Sequence, residues 1–156
     1  MGREESGNPK PGPVAMRPCR GSTHGLGPPM ENALTVTQLL IAIAMVDVWI
    51  LRYDKPLRAR GGDAQNMVEE FRVYGLPDWF RNLTRALKLS AAALLVVGLA
   101  YDWAAFAGGA LLVALMGGAV AMHVKVGDPL LKSVPAAFFL ALSGFVAYAR
   151  ASVLAG

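Results

Sequence analysis

The sequence predicts an all-α membrane protein: a four-helix transmembrane bundle, residues 32–151, with a short interfacial helix between the first and second spans. Two observations carry this. Leu87 to Met122 reads LKLSAAALLVVGLAYDWAAFAGGALLVALMGGAVAM, where Asp102 is the single charge after Lys88. Each half of that stretch, on either side of Tyr101-Asp102-Trp103, approaches the ~20 residues that cross a ~30 Å hydrocarbon core at ~1.5 Å per residue. The chain as a whole is 54% hydrophobic and 17% charged. That charged share lies below the ~25% of soluble domains, so the solvent of this protein is lipid.

The elements follow in order. Residues 1–31, rich in Pro, Gly and Arg, show no apolar periodicity and bury too little surface to offset ordering entropy, so they read as a disordered tail. Met16 and Met30 are alternative translation starts. The first span, about 32–51, can be capped by Asn32 or Thr35 and ends at Arg52-Tyr53-Asp54-Lys55-Pro56, where charge and proline stop the ladder. Asp63 to Tyr74 reads as the interfacial helix, because Met67, Val68, Phe71 and Tyr74 share one face of a 3.6-residue period. Gly75-Leu76-Pro77 ends it. Asp78 can cap the second span, about 79–101, which Trp79 and Phe80 anchor at the surface. The third span, about 104–124, carries Gly108-Gly109, Gly117-Gly118 and the row Ala110, Ala114, Gly118. In lipid such small-residue rows let helix backbones approach closely. Lys125-Val126-Gly127-Asp128-Pro129 separates it from the fourth span, about 130–149, where Ala137, Ala141 and Ser143, Ala147 repeat the spacing.

Lys and Arg set the orientation. Arg52, Lys55, Arg58, Arg60, Arg72, Arg81, Arg85 and Lys88 lie between or beside the first two spans, and Lys125 and Lys132 flank the third loop. The turn at Asp102 has none. Loops 52–78 and 125–129 are therefore predicted cytoplasmic, with both termini on the opposite side. The net charge of +4 belongs to these membrane-flanking residues and to contact with the lipid bilayer, and no nucleic-acid partner is expected.

The single cysteine, Cys19, excludes a thiol–disulfide enzyme, which exchanges electrons through paired thiols. His24 and His123 are too far apart for a bis-histidine haem. Met45, Met116 and Met122 read as apolar filler, so no metal site is expected. No nucleophile–base–acid set is visible, so no catalytic residue is assigned. Three ionisable residues remain at a shared depth near the cytoplasmic boundary: Asp47, Lys88 and His123. Asp47 and Lys88 can pair across the first two spans, with His123 bonding either. They read as a structural ion pair or snorkelling side chains on one hand, and as a functional polar cluster on the other. Lys125 and Asp128 read as solvated helix-end residues, and Gln38 and Thr35 as interhelical hydrogen-bonding groups.

The segments VYGLP, ALKLSAAALLVVGL and GGAVAMHVKVGDPLLKSVPA resemble the DoxX-like family of small four-helix membrane proteins, from about Leu34 to Arg150. The resemblance implies a four-helix bundle in a cytoplasmic or organellar membrane. Some members are associated with quinone-linked sulfur oxidation or with membrane oxidoreductase complexes. Members often carry a carboxylate early in the second helix, a neighbourhood that Lys88 occupies here. The expected function is an accessory or scaffold subunit, meeting other membrane subunits or forming a homo-oligomer. The alternatives are a membrane subunit of a quinone-linked oxidoreductase, with quinone as cofactor, and a small-solute or proton pathway.

Overall fold

The computed structural model describes residues 27–156; Met16, Cys19, His24 and the rest of the expected tail up to residue 26 lie outside the described residues. Among those described, all regular structure is helical. Helix α1 (Pro28–Val46) continues into one π-helical turn (Asp47–Leu51), followed by α2 (Met67–Val73), α3 (Asp78–Val97), α4 (Asp102–Lys125) and α5 (Leu130–Ala155). Among the described residues, three helices are long and apolar enough to cross a membrane: residues 28–51, α4 and α5. α3 falls outside that class because Asp78, Arg81, Arg85 and Lys88 occupy its first three turns.

α1 starts earlier than Asn32. Gly27 is its N-cap, and Pro28 and Pro29 open the first turn. Proline suits that turn, where its missing N–H has no helical partner to lose. Neither Asn32 nor Thr35 caps it. The interfacial helix is shorter than Asp63–Tyr74, because Asn66 caps it at Met67: the Asn66 side chain accepts from the Glu69 N–H at 2.9 Å. Its apolar face is turned inward as well. Met67, Phe71 and Tyr74 are buried, and Phe71 packs edge-on against Trp49 at 6.2 Å between ring centroids.

α1 packs on α3, α3 on α4, α4 on α5, and α5 meets α1. Small residues occupy the contacts. A Cβ on Gly98 would sit 2.6 Å from the Ala105 backbone, one on Gly108 3.0 Å from the Ala91 carbonyl, and one on Gly109 3.1 Å from the Ser143 carbonyl. The packing row of α4 is thus Ala104, Ala105, Gly108 and Gly109, all buried, and not Ala110, Ala114 and Gly118, which are exposed. Ser143 and Ala147 of α5 meet this row, whereas Ala137 and Ala141 face outward. Leu34, Ile41, Leu95 and Leu112 fill the core between the helices, while many large apolar residues, among them Val36, Ile43, Leu51, Val124, Leu131 and Phe138, point outward. Small residues at the closest contacts, with many large ones facing outward, is the pattern expected where lipid removes the drive to bury Leu and Phe, and close backbone approach holds the helices.

The two ends of the molecule differ in chemistry. At one, buried Arg150 ties three helices together. It makes a two-pronged bond to Glu31 at 3.0 and 3.1 Å and an ion pair with Asp102 at 3.0 Å. At the other, the loops 52–66 and 126–129 meet, with the Gly62 N–H donating to Asp128 at 2.9 Å.

Candidate membrane-embedded cavity

The site grows from two helix endings and one π-helical turn. α2 ends with Gly75 at φ 73°. The Gly75 N–H bonds back to the Arg72 carbonyl at 2.9 Å, and the Leu76 N–H to the Phe71 carbonyl at 2.9 Å. α4 ends in the same way at Gly127, φ 69°, with the Gly127 N–H on the Val124 carbonyl and the Asp128 N–H on the His123 carbonyl at 3.0 Å. In this Schellman arrangement the residue after glycine folds back over the residue three before the cap. Here that pair is Asp128 and His123, so the fold-back contact is a side-chain hydrogen bond: His123 Nδ1 lies 2.8 Å from Asp128 Oδ2.

The π turn does the third piece of positioning. The Arg52 N–H reaches the Asp47 carbonyl at 2.8 Å, five residues back. One extra residue in the turn re-aims the side chains that follow. Trp49 is carried inward and buried, with its ring face 4.8 Å from Lys88 Nζ.

From these placements a polar chain crosses the end of the molecule. Arg60 is buried, donates to the carbonyls of Arg52, Tyr53 and Lys55 at 2.7–3.2 Å, and pairs with Glu70 at 3.0 Å. The other Glu70 oxygen accepts from the Gly61 N–H at 3.1 Å and the Tyr74 hydroxyl at 3.0 Å. Glycine at 61 is required here, because a Cβ would collide with the Tyr74 ring. The Tyr74 hydroxyl stands 3.4 Å from each His123 ring nitrogen. Asp128 closes the chain, with Lys132 Nζ 3.6 Å away. Burial, then the neighbouring Glu70 carboxylate, raises the Tyr74 hydroxyl above its ordinary pKa, so it stays a proton donor. Burial alone would raise Asp128. The hydrogen bonds from His123 and the Gly62 N–H, together with the charge on Lys132, outweigh it and hold the carboxyl below its ordinary value.

Between this chain and the apolar helices lies a cavity of about 310 Å³, at the lower end of the ~300–1,000 Å³ usual for small-molecule sites. Its walls are mostly apolar, among them Met45, Trp49, Phe71, Leu115, Met116 and Phe139, and Lys88, Glu70, Tyr74 and His123 reach into it. Lys88 is buried at 8% exposure. Its Nζ stands over the Trp49 ring, and among the described residues it makes no hydrogen bond or ion pair.

Of the three residues expected to cluster, Lys88 and His123 line this cavity and Asp47 does not. Asp47 pairs with Arg52 Nε at 2.7 Å, because the π turn places the two side by side and turns the carboxylate to the outer, half-exposed surface. Asp128, expected to be solvated, is half-buried, and only 4% of its side chain is exposed. Lys125 Nζ is tied to the Tyr74 carbonyl at 3.2 Å. Gln38 does bond between helices, to the Leu95 carbonyl at 3.4 Å. Arg60, Glu70 and Tyr74 were missed. The Gly that follows a helix end was the available signal for Asp128, and a carboxylate one turn before Tyr74 was the signal for Glu70. Among the described residues no group of three His, Cys, Asp or Glu is placed to hold a metal ion.

The profile of the DoxX-like family matches residues 59–146, which span the polar chain, α3, α4 and most of α5. Neither the curated proteins nor the solved structures give a match.

Proposed function

The chain belongs to the DoxX-like family, and from that premise we propose that this integral membrane protein is a four-span binding subunit. Its cavity holds a small apolar molecule by a hydrogen-bond-accepting headgroup. One observation carries the reading: the Lys88 ammonium is buried beside an apolar cavity with an aromatic face as its protein contact. An ammonium without a hydrogen-bonding partner is costly away from water, and an intramembrane charge is a functional candidate for that reason. A quinone carbonyl is one acceptor that fits, in keeping with the redox associations of the family. Such a subunit would serve a larger membrane complex, as partner of other subunits or of its own copies. α3 is read as the fourth span because it packs between α1 and α4, with Arg81, Arg85 and Lys88 at its basic end. The excess of Lys and Arg in loops 52–78 and 125–129 supports a cytoplasmic position for them, with the termini opposite.

The test uses the full chain in lipid nanodiscs with Trp79→Phe and Trp103→Phe, so that Trp49 is the single fluorophore. Decylubiquinone should quench Trp49 saturably. Ala119→Phe, which fills the cavity wall, should abolish saturation. Equal, linear quenching in both proteins would mean that quinone merely dissolves in the bilayer, and the scaffold role would then stand instead.

A further inference from the structure

We infer that the cavity selects a single-chain amphiphile bearing one negative charge, a medium-chain carboxylate, with its headgroup on Lys88. This rests on the binding role proposed above and names the ligand class. The argument begins with charge. The ionisable groups facing the cavity are Arg60, Glu70, Tyr74, Lys88, His123 and Lys132, and Tyr74 stays a neutral donor. Arg60 and Glu70 neutralise one another at 3.0 Å. Lys132 faces Asp128 at 3.6 Å, and His123 lies on the same carboxylate at 2.8 Å. Lys88 is left as the lining cation that no carboxylate pairs among the described residues. A neutral headgroup can accept its hydrogen bonds but leaves the charge unbalanced. A monoanion does both, and a charge-assisted hydrogen bond is the stronger kind.

Shape and access point the same way. A cavity of about 310 Å³ is small for a ligand site and suits a single chain. The mouth lies at Ala114, Gly118 and Pro135, which line the cavity and are also exposed on the outer faces of α4 and α5. Nothing stands within 4 Å of where a Gly118 Cβ would be. An opening in that face lets the ligand enter from the bilayer, its chain lying along Leu115, Met116 and Phe139 and its head meeting Lys88 beneath Trp49.

The experiment takes the single-Trp49 protein in nanodiscs and compares two probes, 2-bromodecanoate and 2-bromodecanol. Their bromine sits next to the headgroup and quenches tryptophan at short range. Expressed as mole fraction in the bilayer, half-quenching by 2-bromodecanoate should come at least tenfold lower than by 2-bromodecanol. Lys88→Gln, which keeps a donor but removes the charge, should erase the difference, and Lys88→Arg should keep most of it. Equal saturable quenching by both probes in the unaltered site overturns the carboxylate assignment while leaving a binding cavity in place. Quenching that Ala119→Phe does not diminish, for either probe, overturns both readings.

Discussion

Replacing Arg60 should destabilise the protein more than replacing any other loop residue. Its side chain, 3% exposed, faces the end of the first helix. There it serves the carbonyls of Arg52 at 2.7 Å, Tyr53 at 3.2 Å and Lys55 at 2.9 Å, as well as the Glu70 carboxylate at 3.0 Å. Carbonyls at a helix end have no partner within the helix, and a cation placed there also meets the negative end of the helix dipole. Arg60→Met removes all of this and leaves Glu70 with its Gly61 and Tyr74 donors but no counter-charge. Breaking a buried pair from one side costs about 3–5 kcal/mol. The retained donors favour the lower end, about 3 kcal/mol. At ~2–4 °C per kcal/mol for a chain of this size, the midpoint should fall by roughly 6–12 °C. Lysine keeps the charge but not the planar fork that reaches three carbonyls at once, so Arg60→Lys should recover less than half. Adding Glu70→Gln to Arg60→Met should cost less than the sum of the single changes, because the orphaned carboxylate is gone. Circular dichroism melts in one detergent read all five proteins: the original, Arg60→Met, Arg60→Lys, Glu70→Gln and the double variant. A fall under ~2 °C for Arg60→Met, or an Arg60→Lys protein as stable as the original, would refute the reasoning.

Two further predictions follow from the same contacts. A double-mutant cycle of Asp47→Ala and Lys88→Ala should show additive effects within error, while Asp47→Ala with Arg52→Ala should couple by about 0.2–1 kcal/mol, the range of exposed ion pairs; coupling of the first pair would place Asp47 at the cavity after all. Asp128 has its pKa lowered in the folded protein, so the stability it contributes is present above the ordinary carboxylate pKa of ~3.9 and is lost as pH falls through the lower folded value; melts from pH 7 down to pH 3 should show a steeper loss for the native chain than for Asp128→Asn, and parallel curves would sink the assignment.

Much of the architecture was legible in the residues alone. The long apolar run with one charged break marks α3, the tight turn and α4, because no other use of so many apolar residues at helical length competes with a membrane. The stops at Pro56, Gly75, Gly127 and Pro129 were legible too, since glycine and proline act on their own backbone. Lys88 and His123 stood out because ionisable groups are rare in such text. The start of α1 at Pro28 escaped, since the first turn tolerates proline and Glu31 finds its partner in Arg150, 119 residues away.

Tertiary structure decided the rest, for one recurring reason: which partner a charge takes depends on where a helix turns. The sequence predicts Asp47 at the depth of Lys88. Only the π turn, with its Arg52-to-Asp47 bond, decided that the carboxylate faces Arg52 and that Trp49, not Asp47, covers the ammonium. Likewise the sequence determined that α4 carries glycine at helical spacing, but both glycine pairs look alike in isolation. Close approach to the Ala91 and Ser143 carbonyls makes Gly108 and Gly109 packing residues, whereas a Cβ on Gly117 or Gly118 would meet nothing within 4 Å, and Gly118 lines the open cavity. Local pattern reports what a residue can do along its own helix; the neighbour across the gap decides which of those things it does.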